Sequence, residues 1–152
     1  MTAGSPETHV PVIGTWNPVR LVPVVLWMGV IFAFSAREHV PKPPGFSLDV
    51  TSVAGHLAVY AVLAALTWWA FGGLVRSPRQ RVAAAFGVAL LYGFSDEWHQ
   101  SFVPGRTPDT RDLVVDAVGA IVGIAIAVAI ARTQARRSTS QLNGYPSTIR
   151  SR

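Results

Sequence analysis

The 152-residue sequence contains no cysteine and few charged residues. Without a thiol, neither a disulfide framework nor a thiolate metal site can form. Charged residues make up 14% of the chain, compared with about 25% in soluble domains, and 50% of the residues are hydrophobic. A soluble domain of this size needs more polar surface than this chain supplies. The composition therefore predicts a membrane protein with a single domain.

Apolar runs make up most of the chain between residues 18 and 132. They cover residues 21–36, 53–75, 82–94 and 113–131. Crossing the hydrocarbon core takes about 20 residues, so the first run needs residues 18–20 as well. The third run crosses only if its helix continues through the polar residues 95–103. We predict an all-α fold, a bundle of four transmembrane helices with short loops.

The segments outside these runs are polar. Residues 1–17 are expected to form a flexible N-terminal arm, and residues 133–152 a disordered, basic C-terminal tail. Three prolines and a glycine within residues 41–45 exclude a continuous helix between the first two runs. The membrane domain is therefore expected to cover residues 18–132.

The net charge of +5 is spread unevenly along the chain. Nine of the 13 basic residues lie at the end of the predicted bundle that carries both termini and the 76–81 connection, whereas seven of the eight acids lie at the other end. The positive-inside rule then predicts that both termini are cytoplasmic. A basic chain can also indicate nucleic-acid binding. Here the basic residues flank apolar runs instead of forming one patch, so we predict no nucleic-acid partner.

Polar residues that are unusual inside a membrane fall at the outer end of all four predicted helices. An ionisable residue within a span is a functional candidate by default, because placing it in lipid costs about 2.5–3.5 kcal/mol. Successive helices alternate in direction, so the ends of the first and third meet the starts of the second and fourth. The residues predicted to line an outward-facing polar pocket are Ser35, His56, Tyr60, Asp96, Glu97, Gln100, Arg106, Asp112 and Asp116.

The fourth run carries a stripe of acidic and small residues. Asp112, Asp116, Gly119 and Gly123 follow one another at positions i, i+4, i+7 and i+11, which lie on one helix face. Small residues allow a neighbouring membrane helix to approach closely. We therefore predict that the two glycines mediate helix packing.

Metal and cofactor binding are not predicted. His56, Asp96, Glu97 and Asp112 offer nitrogen and oxygen ligands, but their spacing matches no metal motif such as H-E-x-x-H. The glycines do not form a phosphate loop, because the pattern G-x-x-x-x-G-K is absent.

Residues 95–123 resemble the signature of VanZ-like membrane proteins. That signature runs D-E-x-x-Q, then an aromatic residue and P-G-R, and later D-x-x-x-N/D-x-x-G-x-x-x-G. The second run carries the family's H-x-x-x-Y-x-x-L pattern, and the first run ends in a serine. The matching residues are Ser35, His56, Tyr60, Leu63, Asp96, Glu97, Gln100, Phe102, Arg106, Asp112, Asp116, Gly119 and Gly123.

The resemblance implies a location in the bacterial cell membrane. The family's name comes from a membrane protein that raises resistance to teicoplanin, a lipidated glycopeptide antibiotic. The implied partners are membrane lipid and a lipidated or lipid-linked ligand of the cell envelope. The chain departs from the pattern at Ser52 and Val53, where many members have an Asp-Lys pair, and at Asp116, where many have Asn.

Three functions are compatible with these residues. The first is an envelope protein whose outward-facing pocket binds a lipidated or lipid-linked ligand and affects glycopeptide susceptibility. The second is a membrane hydrolase or transferase acting on a lipid head group at the outer leaflet. The third is a membrane scaffold whose polar residues only hold helices together. The sequence assigns no catalytic residue, because it shows no base beside Ser35.

Overall fold

The structure, a computed structural model, describes residues 16–37, 48–104 and 109–143. These residues form four α-helices and no strand: α1 (Val22–Ser35), α2 (Leu48–Ala70), α3 (Pro78–Gln100) and α4 (Thr110–Asn143). Short 3-10 turns, Pro18–Leu21 and Phe71–Gly73, precede α1 and follow α2. The predicted all-α bundle is confirmed.

Polar caps followed by proline set the starts of the first and third helical segments. The side chain of Asn17 accepts a hydrogen bond from the backbone N–H of Val19. The side chain of Ser77 accepts one from Gln80 in the same way. A proline follows each cap, where its missing N–H removes no helical hydrogen bond.

Helices α2 and α4 are in backbone contact at two glycines of α4. A Cβ atom on Gly119 would lie 2.5 Å from the carbonyl oxygen of Leu57. A Cβ atom on Gly123 would overlap the carbonyl oxygen of Ala61. Because neither position has room for a side chain, these glycines decide how closely the two helices pack.

Two aromatic side chains tie α1 to its neighbours. The indole Nε1 of Trp27 donates to the carbonyl oxygen of Val59 in α2 at 2.9 Å. The hydroxyl of Tyr92 in α3 donates to the carbonyl oxygen of Met28 at 2.6 Å. Each bond satisfies the polar atom of a partly buried ring that also packs against the apolar core.

The exterior of the bundle is apolar, and the interior, which is also largely apolar, buries several polar side chains near one end. Leu91 and Phe94 are 73% and 66% exposed, whereas Asp96 and Asp116 are 5% and 1% exposed. Large apolar side chains cover much of the remaining described exterior as well. In water this arrangement would promote aggregation, but it suits a lipid surrounding. The distribution of side chains thus identifies a membrane protein.

Three helical segments of the described chain are long and apolar enough to cross a membrane. They are Pro18–Ser35, Val53–Gly73 and Thr110–Ser140. Helix α3 has 23 residues, which is enough to cross, but it is less apolar. Arg79 and Arg81 lie in its first turn, and Asp96, Glu97 and His99 lie near its end, which lowers its mean hydropathy.

Two helix boundaries differ from the sequence predictions. Helix α2 begins at Leu48 instead of residue 53, so it starts shortly after the proline-rich segment. Helix α4 continues to Asn143, past residue 132, where a disordered tail was predicted. Its 34 residues span about 51 Å, well beyond the ~30 Å hydrocarbon core. Residues 132–140 are exposed along this extension. Residues 1–15 of the predicted arm, 1–17, and the last residues, 144–152, lie outside the described residues.

Candidate functional site

Four helices contribute polar side chains to one end of the bundle. Ser35 is the last residue of α1, and Gln100 is the last residue of α3. Because α2 begins early, His56 lies in its third turn instead of the predicted first. Asp116 lies in the second turn of α4. The sequence-predicted residues that the structure describes at this end are Ser35, His56, Tyr60, Asp96, Glu97, Gln100, Asp112 and Asp116.

Ser35, Asp96 and Gln100 form a closed hydrogen-bonded ring between α1 and α3. The Ser35 hydroxyl donates to Asp96 Oδ2 at 2.6 Å. The amide Nε2 of Gln100 donates to Ser35 Oγ and to Asp96 Oδ2, each at 3.0 Å. All three residues are buried. The ring leaves Asp96 Oδ1 buried with no hydrogen-bond partner among the described residues.

His56 lies between two acids of α4. Its Nδ1 is 2.9 Å from Asp116 Oδ1, which is hydrogen-bond distance. Its Nε2 is 3.7 Å from Asp112 Oδ2, which is too long for a direct hydrogen bond. A carboxylate only accepts, so an ionised Asp116 makes Nδ1 the donor and fixes the orientation of the ring. Nε2 then lies on the side of the ring nearer to Asp112.

Tyr60 lies between the His56–Asp116 pair and the stretch of α3 that carries Gly93 and Asp96. Its ring stacks on His56, with centroids 6.3 Å apart. A Cβ atom on Gly93 would lie 3.1 Å from Asp116 Oδ2 and 3.4 Å from Tyr60 Cε1. Asp96 follows Gly93 by one turn on the same face of α3. The Tyr60 hydroxyl is fully buried and has no hydrogen-bond partner within the described ranges.

Glu97 joins α3 to the start of α4. Its Oε2 accepts a hydrogen bond from the backbone N–H of Asp109 at 3.0 Å. Asp109 in turn caps α4, because its Oδ1 accepts from the backbone N–H of Arg111 at 2.9 Å. The other oxygen of Glu97, Oε1, is buried and has no partner in the described part of the chain. Arg106, also predicted at this site, lies outside the described residues.

Sequence reasoning missed Gly93 and gave His99 no site role. The sequence signal that could have identified Gly93 is its spacing. It shares one face of α3 with Asp96 and Gln100, which follow it by three and seven residues. His99 stacks on Phe32 of α1 with ring centroids 4.4 Å apart. Its Nε2 is buried and finds no acceptor or donor in the described residues. The contacts of Gly93 with α2 and α4 and the stacking of His99 on Phe32 do not follow from the sequence, because they depend on how the helices pack.

The site combines fixed hydrogen bonds with unpaired polar atoms. Most buried polar groups in proteins are hydrogen-bonded, so unpaired buried oxygens are exceptions that call for an explanation. Here such atoms come from Tyr60, Asp96 and Glu97. Among the described residues, no group of three or more ligating side chains is arranged to hold a metal ion. Chemically, the unpaired oxygens are able to accept hydrogen bonds from a donor group, and the imidazole of His56 is able to exchange a proton.

The apolar exterior of the bundle and its buried polar end define an integral membrane protein of helical type. The chain belongs to the VanZ/LLP1 family, whose model matches residues 4–132. The predicted assignment to VanZ-like proteins is thereby confirmed. No curated protein and no solved structure gives a significant match to the chain.

Proposed function

We propose that this VanZ-like protein binds a lipidated or lipid-linked ligand of the cell envelope at its polar end and thereby alters glycopeptide susceptibility. In this proposal all four helices cross the bacterial cell membrane. The basic end, with both termini, is cytoplasmic, and the polar end faces outward. The observation that carries the proposal is the convergence of buried polar side chains from four helices, with unpaired oxygens on Tyr60, Asp96 and Glu97.

The charge of the polar end restricts the chemical group that it would bind. Acidic side chains outnumber arginines at this end of the described chain, which includes Asp96, Glu97, Asp109, Asp112 and Asp116 but also Arg37 and Arg111. The carboxyl oxygens are acceptors. Complementary recognition favours a ligand rich in hydrogen-bond donors, such as hydroxyl, amide or ammonium groups, over an anionic group. Sugars and amines of envelope glycolipids and lipoglycopeptides have this chemistry.

The lipid-facing side of α3 supports a ligand that carries an acyl chain. Phe94 and Trp98 of α3, and Phe102 just after its end, are exposed and lie within a few residues of Asp96 and Glu97 in the sequence. The rings of Trp98 and Phe102 contact edge to face, with centroids 5.8 Å apart. A ligand could therefore place its polar head at the polar end of the bundle and its acyl chain against these rings, without leaving the membrane.

A complementation experiment tests the binding proposal. A deletion strain is complemented with the wild-type gene, with Asp96→Asn or with the exposed control Ser101→Ala, and susceptibility to teicoplanin is measured. We expect deletion and Asp96→Asn to change susceptibility to teicoplanin but not to a glycopeptide without an acyl chain. Unchanged teicoplanin susceptibility in a sensitised deletion strain would contradict the proposal. A parallel loss of thermal stability and function in Asp96→Asn would instead favour the structural scaffold.

A membrane enzyme acting on a lipid head group is the second candidate. The observation favouring it is the 2.6 Å hydrogen bond from Ser35 to Asp96, which gives the serine a neighbouring base. The pairing of His56 with Asp116 provides a second acid–base pair at the same end. Purified wild-type protein and the Ser35→Ala variant are each incubated with labelled lipid-linked substrates. Turnover that Ser35→Ala abolishes would support an enzyme, and no turnover across substrate classes would leave the binding proposal ahead.

A further inference from the structure

The opposite end of the bundle carries basic residues without nearby acids. Arg20 precedes α1, and Arg76 lies in the connection between α2 and α3. The first turn of α3 contains Arg79 and Arg81. Within the described residues, this end contains no aspartate or glutamate. The cations therefore have no carboxylate counter-ion in this part of the chain. An excess of cations at one end is common in membrane proteins, so the argument rests on how two of these arginines are held.

The position of Arg81 is fixed by α2. Its Nε donates to the carbonyl oxygen of Trp68, and its guanidinium carbon lies 3.6 Å from the centroid of the Trp68 ring. Gly72 provides the space, because a Cβ atom there would lie 2.8 Å from a terminal nitrogen of Arg81. The Trp68 bond also satisfies a carbonyl near the end of α2, which is a structural role. It uses one of five N–H donors of the guanidinium group.

Arg20 lies against Trp69, the residue that follows Trp68 in α2. Its guanidinium carbon is 5.2 Å from the centroid of the Trp69 ring. Burial lowers the pKa of Arg81, which precedes the predicted third span, and the positive charge of Arg20 lowers this pKa further. The two guanidinium groups thus lie on the rings of consecutive residues and repel each other. An anion that contacts both would offset this repulsion.

Two further features of this end favour an anion. The first turn of α3 contains Arg79 and Arg81 and no acid, although the positive end of a helix dipole favours negative charge. The indole N–H groups of Trp16 and Trp68 are buried and have no acceptor among the residues that the structure describes. The unpaired buried side-chain atoms at the basic end are therefore donors, whereas Asp96 and Glu97 contribute unpaired acceptors at the polar end.

We propose that Arg20 and Arg81 bind the phosphodiester of an anionic phospholipid in the leaflet at the basic end. Planar guanidinium groups match phosphate oxygens in pairs, which suits arginine better than lysine. A lipid is favoured over a soluble anion because this end also exposes apolar side chains, Val22 two residues after Arg20 and Leu74 in the connection before α3. Acyl chains would lie against these side chains while the phosphate contacts the guanidinium groups. This site is separate from the polar end and independent of the ligand proposed there.

Native mass spectrometry of the full-length protein tests this site. The protein is purified in detergent and titrated with phosphatidylglycerol or phosphatidylcholine, and bound lipid is counted. Arg20→Gln removes one guanidinium group and leaves the Trp68 bond of Arg81 intact, so the fold should be retained, with an unchanged melting temperature. The matched control is Arg136→Gln, which removes the same charge from an exposed position of α4 near the same end.

We expect the wild type to retain phosphatidylglycerol over phosphatidylcholine. Arg20→Gln should weaken phosphatidylglycerol binding about fivefold, whereas Arg136→Gln should change it less than about twofold. Arg81→Lys should also weaken binding, because an ammonium group cannot make the paired contacts. Equal losses in Arg20→Gln and Arg136→Gln, or equal retention of both lipids, would overturn the proposal. Full displacement of the lipid by millimolar inorganic phosphate would also overturn the assignment to a lipid.

Discussion

His56 Nδ1 lies 2.9 Å from Asp116 Oδ1, and this contact joins α2 to α4 inside the polar end. The two residues are 60 positions apart in sequence. Asp116 is almost fully buried, at a position where the VanZ-like signature that the sequence resembles allows Asn or Asp. A neutral amide and a carboxylate both offer an oxygen to a histidine N–H. Either residue could therefore accept from His56, and only Asp116 adds a negative charge.

Substitutions of Asp116 separate the hydrogen bond from the charge. Asp116→Asn keeps an acceptor for His56, whereas Asp116→Leu removes it and leaves a buried donor unpaired. We expect Asp116→Leu to lower the free energy of unfolding by about 1–3 kcal/mol more than Asp116→Asn. Thermal unfolding in detergent measures the difference. When His56 is also replaced by Phe, Asp116→Asn and Asp116→Leu should have similar free energies of unfolding. A difference as large as before would show that the contact with His56 does not cause it.

Removing the Ser35 hydroxyl should open the ring between α1 and α3. Ser35→Ala leaves Asp96 Oδ2 with the Gln100 amide as its described partner. We expect a loss of about 1–3 kcal/mol in the free energy of unfolding, because a buried acceptor loses a donor. Ser101→Ala is the control, since its hydroxyl is exposed, and it should change stability by less than about 0.5 kcal/mol. Equal melting temperatures for the two variants would contradict the assigned hydrogen bond.

Because α2 and α4 are in backbone contact, replacing Gly123 by alanine should destabilise the protein far more than the same change at Gly87. Gly123→Ala places a methyl group on the carbonyl of Ala61, so the helices must separate. We expect a loss of about 1–3 kcal/mol, the usual effect of overpacking. Gly87→Ala is the matched control, because no atom lies within 4 Å of its added Cβ. It should be neutral or stabilise by up to about 1 kcal/mol through helix propensity. Similar melting temperatures for both variants would argue against close packing at Gly123.

The absence of cysteine makes the proposed orientation directly measurable. Single cysteines are introduced at exposed positions, Gln80→Cys at the basic end and Ser101→Cys at the polar end. In intact cells, a membrane-impermeant maleimide should label Ser101→Cys. Gln80→Cys should react only after the membrane is permeabilised. Labelling of both positions in intact cells would contradict four crossings with cytoplasmic termini.

Part of the polar end could be predicted because helices repeat their faces locally. Asp96 and Gln100 share a face of α3 by spacing alone, and their hydrogen bond lies within one helix. Direction alternates from helix to helix, which was enough to expect acids of α3 and α4 at the same end. The contact of Ser35 with Asp96 spans 61 positions and depends on how α1 rotates against α3. No local pattern encodes that rotation.

The sequence by itself determined that this chain is a helical membrane protein of the VanZ/LLP1 family with polar residues at one end. Hydropathy, helical spacing and a contiguous motif are properties of neighbouring residues, so they can be read without coordinates. Only the tertiary structure decided that His56 pairs with Asp116, that Gly93 lies against both Asp116 and Tyr60, and that Arg81 stacks on Trp68. These contacts depend on the rotation and separation of packed helices, which side chains distant in sequence determine together.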